Sequence, residues 1–285
     1  MQTGYNEVKA QNLVQEFWSP IFDKELRENT LWVGLFNDPN YTMEKVKGGE
    51  KFNISRITKP TSTIRTIGTD ADTFDTNILS SEQVELAVTK RCVSAYEFSD
   101  LGVLMSQLEQ QDSEIREALL ADVREQANEF IKGLISPSTS APAHVITSVT
   151  DFSNAQLSAI RKLAAQAKWR SSGQPWFLMA DPSYYSDLLD DTTLSNANTM
   201  GIGKSPILEG MFDYKRYGFN IAEDDSLSED TAFAVLGNAL KTIIGTPRFK
   251  ISDLHGQSKF GYKMSVDFPL GGVQMHDERV ISIEN

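Results

Sequence analysis

The chain is short of the residues on which most site chemistry rests. Cys92 is the one cysteine among 285 residues, which excludes an intrachain disulfide and a thiolate metal cluster. It falls in an alternating strand pattern and not at a helix N-terminus, so it reads as a small hydrophobe and not as an activated nucleophile. The three histidines, His144, His255 and His276, stand far apart, and none has a second ligand at helical spacing. They are expected to be isolated surface side chains, with no metal and no cofactor. There is no Gly-x-Ser-x-Gly elbow to present a serine nucleophile. No stretch approaches the roughly 20 apolar residues of a membrane span. Met1 to Ala10 lacks the basic and apolar regions of a signal peptide. The expectation is a soluble protein made in a cytoplasm, with no membrane partner and no catalytic residues.

Cations are also scarce. The 27 Lys plus Arg against 39 Asp plus Glu leave a net charge of -12, and no basic run exceeds two residues, as at Lys90-Arg91 and Lys215-Arg216. Phosphate binding relies on clustered cations, so a nucleic-acid-gripping surface is not expected. Gly201-Ile202-Gly203-Lys204-Ser205 has the ending of a phosphate-binding loop. Its spacing fails, because Asn198 stands where the first glycine belongs and Pro206 disrupts the helix that should follow. Asp190-Asp191 and Glu223-Asp224-Asp225 lack the regular spacing of a calcium loop and read as solvated turns. Tyr184-Tyr185 reads as core.

What the chain has is 40% apolar residues and 9% aromatics, enough for one large core or two ordinary ones. It also has an unusual stretch from Lys51 to Leu134. Thr61 to Glu82 holds 13 Ser, Thr, Asp or Asn residues among its 22. Structureless loops longer than roughly 12 to 15 residues are uncommon in compact domains unless they are functional or disordered. Gly48-Gly49 precedes Phe52 and Ile54 in alternation, and Val84, Leu86 and Val88 open a longer extended run through Cys92 and Tyr96 to Phe98. The two runs flank the polar segment like the sides of an extended hairpin. From Asp112, which can cap a helix, Ile115, Leu119, Leu120, Val123, Ala127, Phe130, Ile131 and Leu134 mark one apolar helical face over 112–134.

The remainder reads as a mixed α+β layer. Residues 1 to 30 are an arm carrying Phe17, Trp18, Phe22 and Leu26 around Pro20, and Phe17 and Trp18 are candidate partner contacts. Ser136 to Ala143 is a candidate hinge. Ser153 and Gln156 form a capping box ahead of Leu157, Ile160, Leu163, Ala164 and Ala167. Trp176 to Ala180 is a strand, and Asp181-Pro182 opens a helix through Leu189. Strands follow at Tyr217 to Ala222 and Ala232 to Leu236. Phe260 to Phe268 alternates cleanly, Pro269 to Gly272 is expected to turn the chain, and Val280 to Ile283 closes it.

In this order the elements resemble the major capsid protein of tailed bacteriophages, the Hong Kong 97 fold family. Local phrases that carry the resemblance are Phe177-Leu178-Met179-Ala180-Asp181-Pro182 with Tyr184-Tyr185, Tyr217-Gly218-Phe219-Asn220-Ile221, and Phe260-Gly261-Tyr262 with Gly271-Gly272-Val273 and Arg279-Val280-Ile281-Ser282-Ile283. The resemblance implies an N-terminal arm (1–45), an E-loop with its return strand (46–98), a P-domain (99–149) with spine helix 112–134, an A-domain (150–240) and closing P-domain strands (241–285). It implies a coat subunit that self-assembles as hexamers and pentamers into an icosahedral shell around phage DNA, held in the virion capsid after assembly in the host cytoplasm. A portal is implied as partner and, with Met1 as the start, a separate scaffolding protein. Phe17, Trp18, Phe52, Ile54, Ile64, Ile67 and Phe74 are the candidate intersubunit contacts. Some family members crosslink a lysine to an asparagine, but nothing identifies such chemistry at Lys47, Lys51 or Lys59. Two alternatives remain: an encapsulin-type nanocompartment shell, whose usual N-terminal cargo helix fits this arm poorly, and a nucleotide-dependent enzyme using Lys204.

Overall fold

The computed structural model describes residues 21–22, 24, 26, 31–36, 51–57, 81–99, 108–191, 215–253 and 261–285. Two five-stranded sheets are built from these residues, and a long helix lies against both. The elements are α1 (Leu31–Phe36), β1 (Lys51–Ile57), β2 (Ser81–Ser99), α2 (Leu108–Lys132), β3 (Val145–Ile146), α3 (Asn154–Gln166), β4 (Trp176–Ala180) and α4 (Pro182–Asp190). The chain continues as β5 (Phe219–Glu223), β6 (Thr231–Leu236), β7 (Leu240–Ile244), β8 (Arg248–Asp253), β9 (Gly261–Gln274) and β10 (Val280–Glu284).

Helix α2 is where sequence becomes architecture. Its period-four stripe Leu119, Val123, Ala127 and Ile131 is fully buried, and each buried Leu, Val or Ile contributes about 1.5–3 kcal/mol. At 25 residues and about 1.5 Å per residue, α2 spans roughly 37 Å. It begins at Leu108, so Asp112 lies inside the helix and does not cap it. The end is set by Gly133, after which Ser136 and Gln274 exchange two hydrogen bonds of 2.6 and 2.7 Å. With His144 N–H donating to Ser138 O at 2.8 Å, the segment expected as a hinge is tied down at both ends.

The first sheet runs β1-β2-β9-β7, with β8 also on β9, all antiparallel. Strand β9 passes straight through Pro269 to Gly272, where the sequence predicted a turn. Pro269 is tolerated because it falls between the stretch paired with β8, which ends at Asp267, and the stretch paired with β7, which begins at Leu270. A missing N–H breaks no ladder bond on that side. The glycines serve close approach instead. A Cβ on Gly271 would sit 2.5 Å from Ala87 O, and one on Gly272 would sit 2.4 Å from a Leu134 methyl.

The second sheet has the order β3-β10-β6-β4-β5. Its alternation is strict: Leu178, Ala180, Ala234, Leu236, Ile281 and Ile283 face α3 and α4, whereas Met179, Val235 and Val280 face α2 and α1. Strand β10, from 241–285, hydrogen-bonds to β6, from 150–240, so these two segments share a sheet. The capping box forms as expected, with Gln156 Oε1 accepting from Ser153 N–H at 3.1 Å. Asp181 caps α4 by accepting from Ser183 and Tyr184 N–H, each at 3.2 Å. Tyr217 does not begin a strand; it sits at φ 50°, next to Gly218 at φ 93°, in the turn before β5. Strands β3, β7 and β8 and helix α1 were not anticipated from the sequence.

The described part of the arm packs on its own chain. Phe22, Leu26, Trp32, Val33 and Phe36 are buried in the same core as α2. Trp32 Nε1 donates to Asp224, and Phe36 O accepts from Thr242 Oγ1 at 2.8 Å. Asp224 is therefore buried and hydrogen-bonded, with Ser226 N–H as a further donor at 3.1 Å, and is not part of a solvated turn.

Because backbone atoms would have to move, Gly271→Ala is expected to destabilise the protein by about 1–3 kcal/mol. An unchanged urea midpoint would refute this reading of the β2–β9 contact.

Candidate functional site

Among the described residues, the β1–β2 ribbon extends beyond the sheet that carries it. Lys51 to Ile57 pairs with Ala87 to Ser81 over seven positions, whereas β2 meets β9 only from Val88 onward. Among the described residues, the ribbon has no third strand. Two-stranded hairpins are marginal in water unless one face is covered. Among the described residues, Phe52, Ile54, Leu86 and Val88 pack with Ile243 and Val273, and of these Leu86 and Ile243 are fully buried.

Cross-strand partners explain how the ribbon grades from core to solvent. Phe52 faces Leu86 and Ile54 faces Val84, and the next pair on that face is Arg56 with Glu82, an ion pair at 3.7 Å. The opposite face carries Lys51, Asn53, Ser55, Gln83 and Glu85, all exposed, with Lys51 and Glu85 paired at 2.6 Å. The last described pair is Ile57 with Ser81, and the Thr- and Asp-rich segment 58–80 between them lies outside the described residues. Polar faces and an edge studded with Lys and Arg blunt uncontrolled strand pairing.

Of the candidate intersubunit residues, Phe52 and Ile54 come together on the ribbon's half-buried face. Phe17, Trp18, Ile64, Ile67 and Phe74 lie outside the described residues. So do His255, Lys47, Lys59 and the Gly201–Ser205 loop. Sequence reasoning missed Val93, 59% exposed on the uncovered face of the first sheet. Its neighbours there are Arg91, which pairs with Asp267, and the β8 cations Arg248 and Lys250. An apolar residue at a solvent position in the alternation was the available signal.

The titratable groups form no catalytic constellation among the described residues, and no group of three or more His, Cys, Asp or Glu side chains gathers there to hold a metal. His144 is buried rather than surface-exposed, with Nδ1 2.9 Å from Pro142 O. Burial and then the nearby Asp122 push the Cys92 thiol up to about 11, which keeps it protonated near neutrality. Tyr184 is core, its hydroxyl donating to Val149 O at 2.6 Å. Asp191 accepts from Asn154 N–H at 2.9 Å. A cleft of about 450 Å³ lies beside α1, lined by Leu35, Phe36, Lys241, Met275, His276 and Arg279 among others. Among the described residues, no carboxylate, thiol or hydroxyl lines it. Burial, then Arg279 and Arg56, hold His276 down at about 4.

No family model matches the chain, and no curated protein matches it. Its fold is that of solved phage capsid chains. A structure of Mycobacterium phage Che8 aligns with a TM-score of 0.68 at 15% identity, covering 89% of this chain and 90% of the other. The capsid asymmetric unit of cyanophage Pam1 aligns at 0.66 with 12% identity, covering 89% and 91%. A virus-like particle from Pyrococcus furiosus aligns at 0.56 with 13% identity, covering 93% and 98%.

His276 supplies a pH signature. Its folded value of about 4 lies below the usual 6.5, so between these limits the unfolded chain binds a proton that the folded chain does not. Stability should fall as pH falls through that window. His276→Gln should flatten this part of the profile, and an equally steep loss in the variant would assign it to other groups.

Proposed function

We propose that this chain is the coat subunit of a phage capsid, self-assembling into an icosahedral shell that encloses the DNA genome. The observation that carries the reading is the β1–β2 ribbon, seven pairs long, projecting past its sheet with one half-buried face. A structure confined to one chain gains little from such an element. A neighbouring copy that packs on the half-buried face carrying Phe52 and Ile54 gives it a purpose. The shared fold with solved phage capsid chains supports the same conclusion.

In this reading the architecture is that of the Hong Kong 97 fold. The ribbon with 58–80 is the E-loop, α2 is the spine helix of the P-domain, and the α3, β4, α4 and β5 region belongs to the A-domain. The copies form hexamers and pentamers, with a separate scaffolding protein and a portal as partners and DNA held without sequence-specific contacts. Assembly takes place in the host cytoplasm and the product is the virion capsid. The function is mechanical: each copy contributes small contacts that symmetry repeats, and multivalency turns weak contacts into a stable shell. Phe17, Trp18, Ile64, Ile67 and Phe74 are proposed to complete the contact made by Phe52 and Ile54.

A nanocompartment shell is the second reading, favoured by the likeness to the Pyrococcus furiosus virus-like particle. Particle contents separate the two, since nuclease-protected DNA fits the coat and protein cargo fits the compartment.

Replacing residues 58–80 with Asn-Gly, a turn suited to a two-residue hairpin, should leave the thermal midpoint within a few degrees of the parent, roughly 1 kcal/mol or less for a chain of this size. The same variant should form no particles in sedimentation. Particles of parental size from this variant would remove the ribbon tip from assembly, and an unfolded variant would show that the tip belongs to the subunit core.

A further inference from the structure

We propose a second contact between copies, in which a basic cleft at one end of the second sheet receives the acidic opposite end of the same sheet from another copy. This rests on the assembly reading but uses different residues from the ribbon.

The cleft is hidden in the linear sequence. From Phe152 to Ala180 there is no Asp or Glu, while Arg161, Lys162, Lys168 and Arg170 fall within the stretch. Folding brings Arg161 and Arg170 together with Lys215 around a hollow of about 210 Å³ floored by Trp176 and bordered by Gln174 and Gly218. The floor is rigid. Trp176 is 7% exposed and packs against Trp169 and Phe219 at 5.8 and 5.3 Å between ring centres. Trp169 is itself fixed by donating from Nε1 to Glu278 O at 2.8 Å. The Arg161 guanidinium lies 4.6 Å above the Trp176 ring, which holds its charge at the rim. Among the described residues, no carboxylate pairs with Arg161, Arg170 or Lys215. In a chain of net charge -12, three cations that converge without an acid among the described residues form a local inversion of sign.

The complement stands at the other end of the same strands. Strands β4 and β5 run from the cleft to Ala180 and Glu223, and β6 and β10 meet them there at Thr231 and Glu284. From Tyr217 to Leu240 there are five acids and no cation. Asp224 is occupied by Trp32 and Ser226, and Asp230 by Asn285. Glu223, Asp225, Glu229 and Glu284 remain exposed. Lys132, the nearby cation, is held by Ser226 O and Glu129. One sheet thus presents opposite charge at its two ends, four strand steps or roughly 13 Å apart along the backbone. A positive patch on one end and a negative patch on the other suit a head-to-tail contact, which closes into a ring when the rotation allows. The hollow suits a short acidic turn better than an extended phosphate backbone. Asp277 and Glu278, exposed beside Trp169, bound the basic patch on that side.

Charge reversal tests the pairing on the full chain, read by sedimentation and electron microscopy across a salt series. Arg170→Glu with Lys215→Glu, and separately Asp225→Lys with Glu229→Lys, should each lower particle yield by about tenfold or more, since many copies repeat each lost contact. The quadruple variant restores opposite signs and should recover assembly. Parental yield from either double variant, or no recovery in the quadruple, overturns the proposal. A cleft double variant that assembles normally but no longer retains nuclease-protected DNA would overturn it in favour of nucleic acid. A parent that forms only small oligomers refutes the shell, yet loss and recovery of those oligomers in the same variants would still uphold this contact.

Discussion

The burial of one helical stripe against two sheets at once is the constraint on which the rest depends. Leu119, Val123, Ala127 and Ile131 of α2 share a core with Phe249, Val266, Phe268 and Leu270 of the first sheet and with Met179, Val235 and Val280 of the second. Trp32 closes that core from the arm, and its indole N–H finds the buried Asp224 carboxylate. A buried indole without an acceptor costs about 1–3 kcal/mol, so the hydrogen bond fixes where the arm may lie. With both sheets locked to one helix, neither can slide relative to the other. The described core is thereby stiff.

Stiffness has a consequence for function. A shell needs each copy to present its contacts at fixed angles, because small angular errors accumulate over many repeats. The core joins the first sheet, which carries the β1–β2 ribbon, to the second sheet, which carries the two charged ends. In the proposed shell the ribbon offers an apolar strip and, among the described residues, an edge without a third strand, which supply shape and backbone hydrogen bonds. The sheet ends offer charge, which would orient approaching copies under the proposed pairing and weakens with salt over a Debye length of about 8 Å at physiological ionic strength. In the proposed shell the first kind of contact holds and the second selects.

Much of this was legible in the sequence, and the exceptions share a cause. Periodicity gave β1, β2, α2, α3 and β10 their places, and local capping chemistry gave Ser153, Gln156 and Asp181 theirs. What failed depended on distant neighbours. Pro269 to Gly272 looks like a turn until β2, β7 and β8 are set beside it, when the glycines become points of backbone contact. Asp224 looks solvated until Trp32, 192 positions away, is packed over it. The basic cleft is invisible because Arg161, Arg170 and Lys215 are separated in the chain and joined only by the fold. Short β7 and β8 were missed because Leu240 to Ile244 and Arg248 to Asp253 carry too few alternations to stand out. The alternation of Phe52 and Ile54 marked their strand, whereas the exposure of Val93 depends on which face of the first sheet is covered.

The central claim is that function resides between copies and not in a pocket within one. Electron microscopy of the expressed protein, alone and with the products of its neighbouring genes, tests this most directly. The result predicted is closed particles of uniform diameter built from rings of subunits. Monomers alone under every condition, at concentrations well above those of a cell, would contradict it.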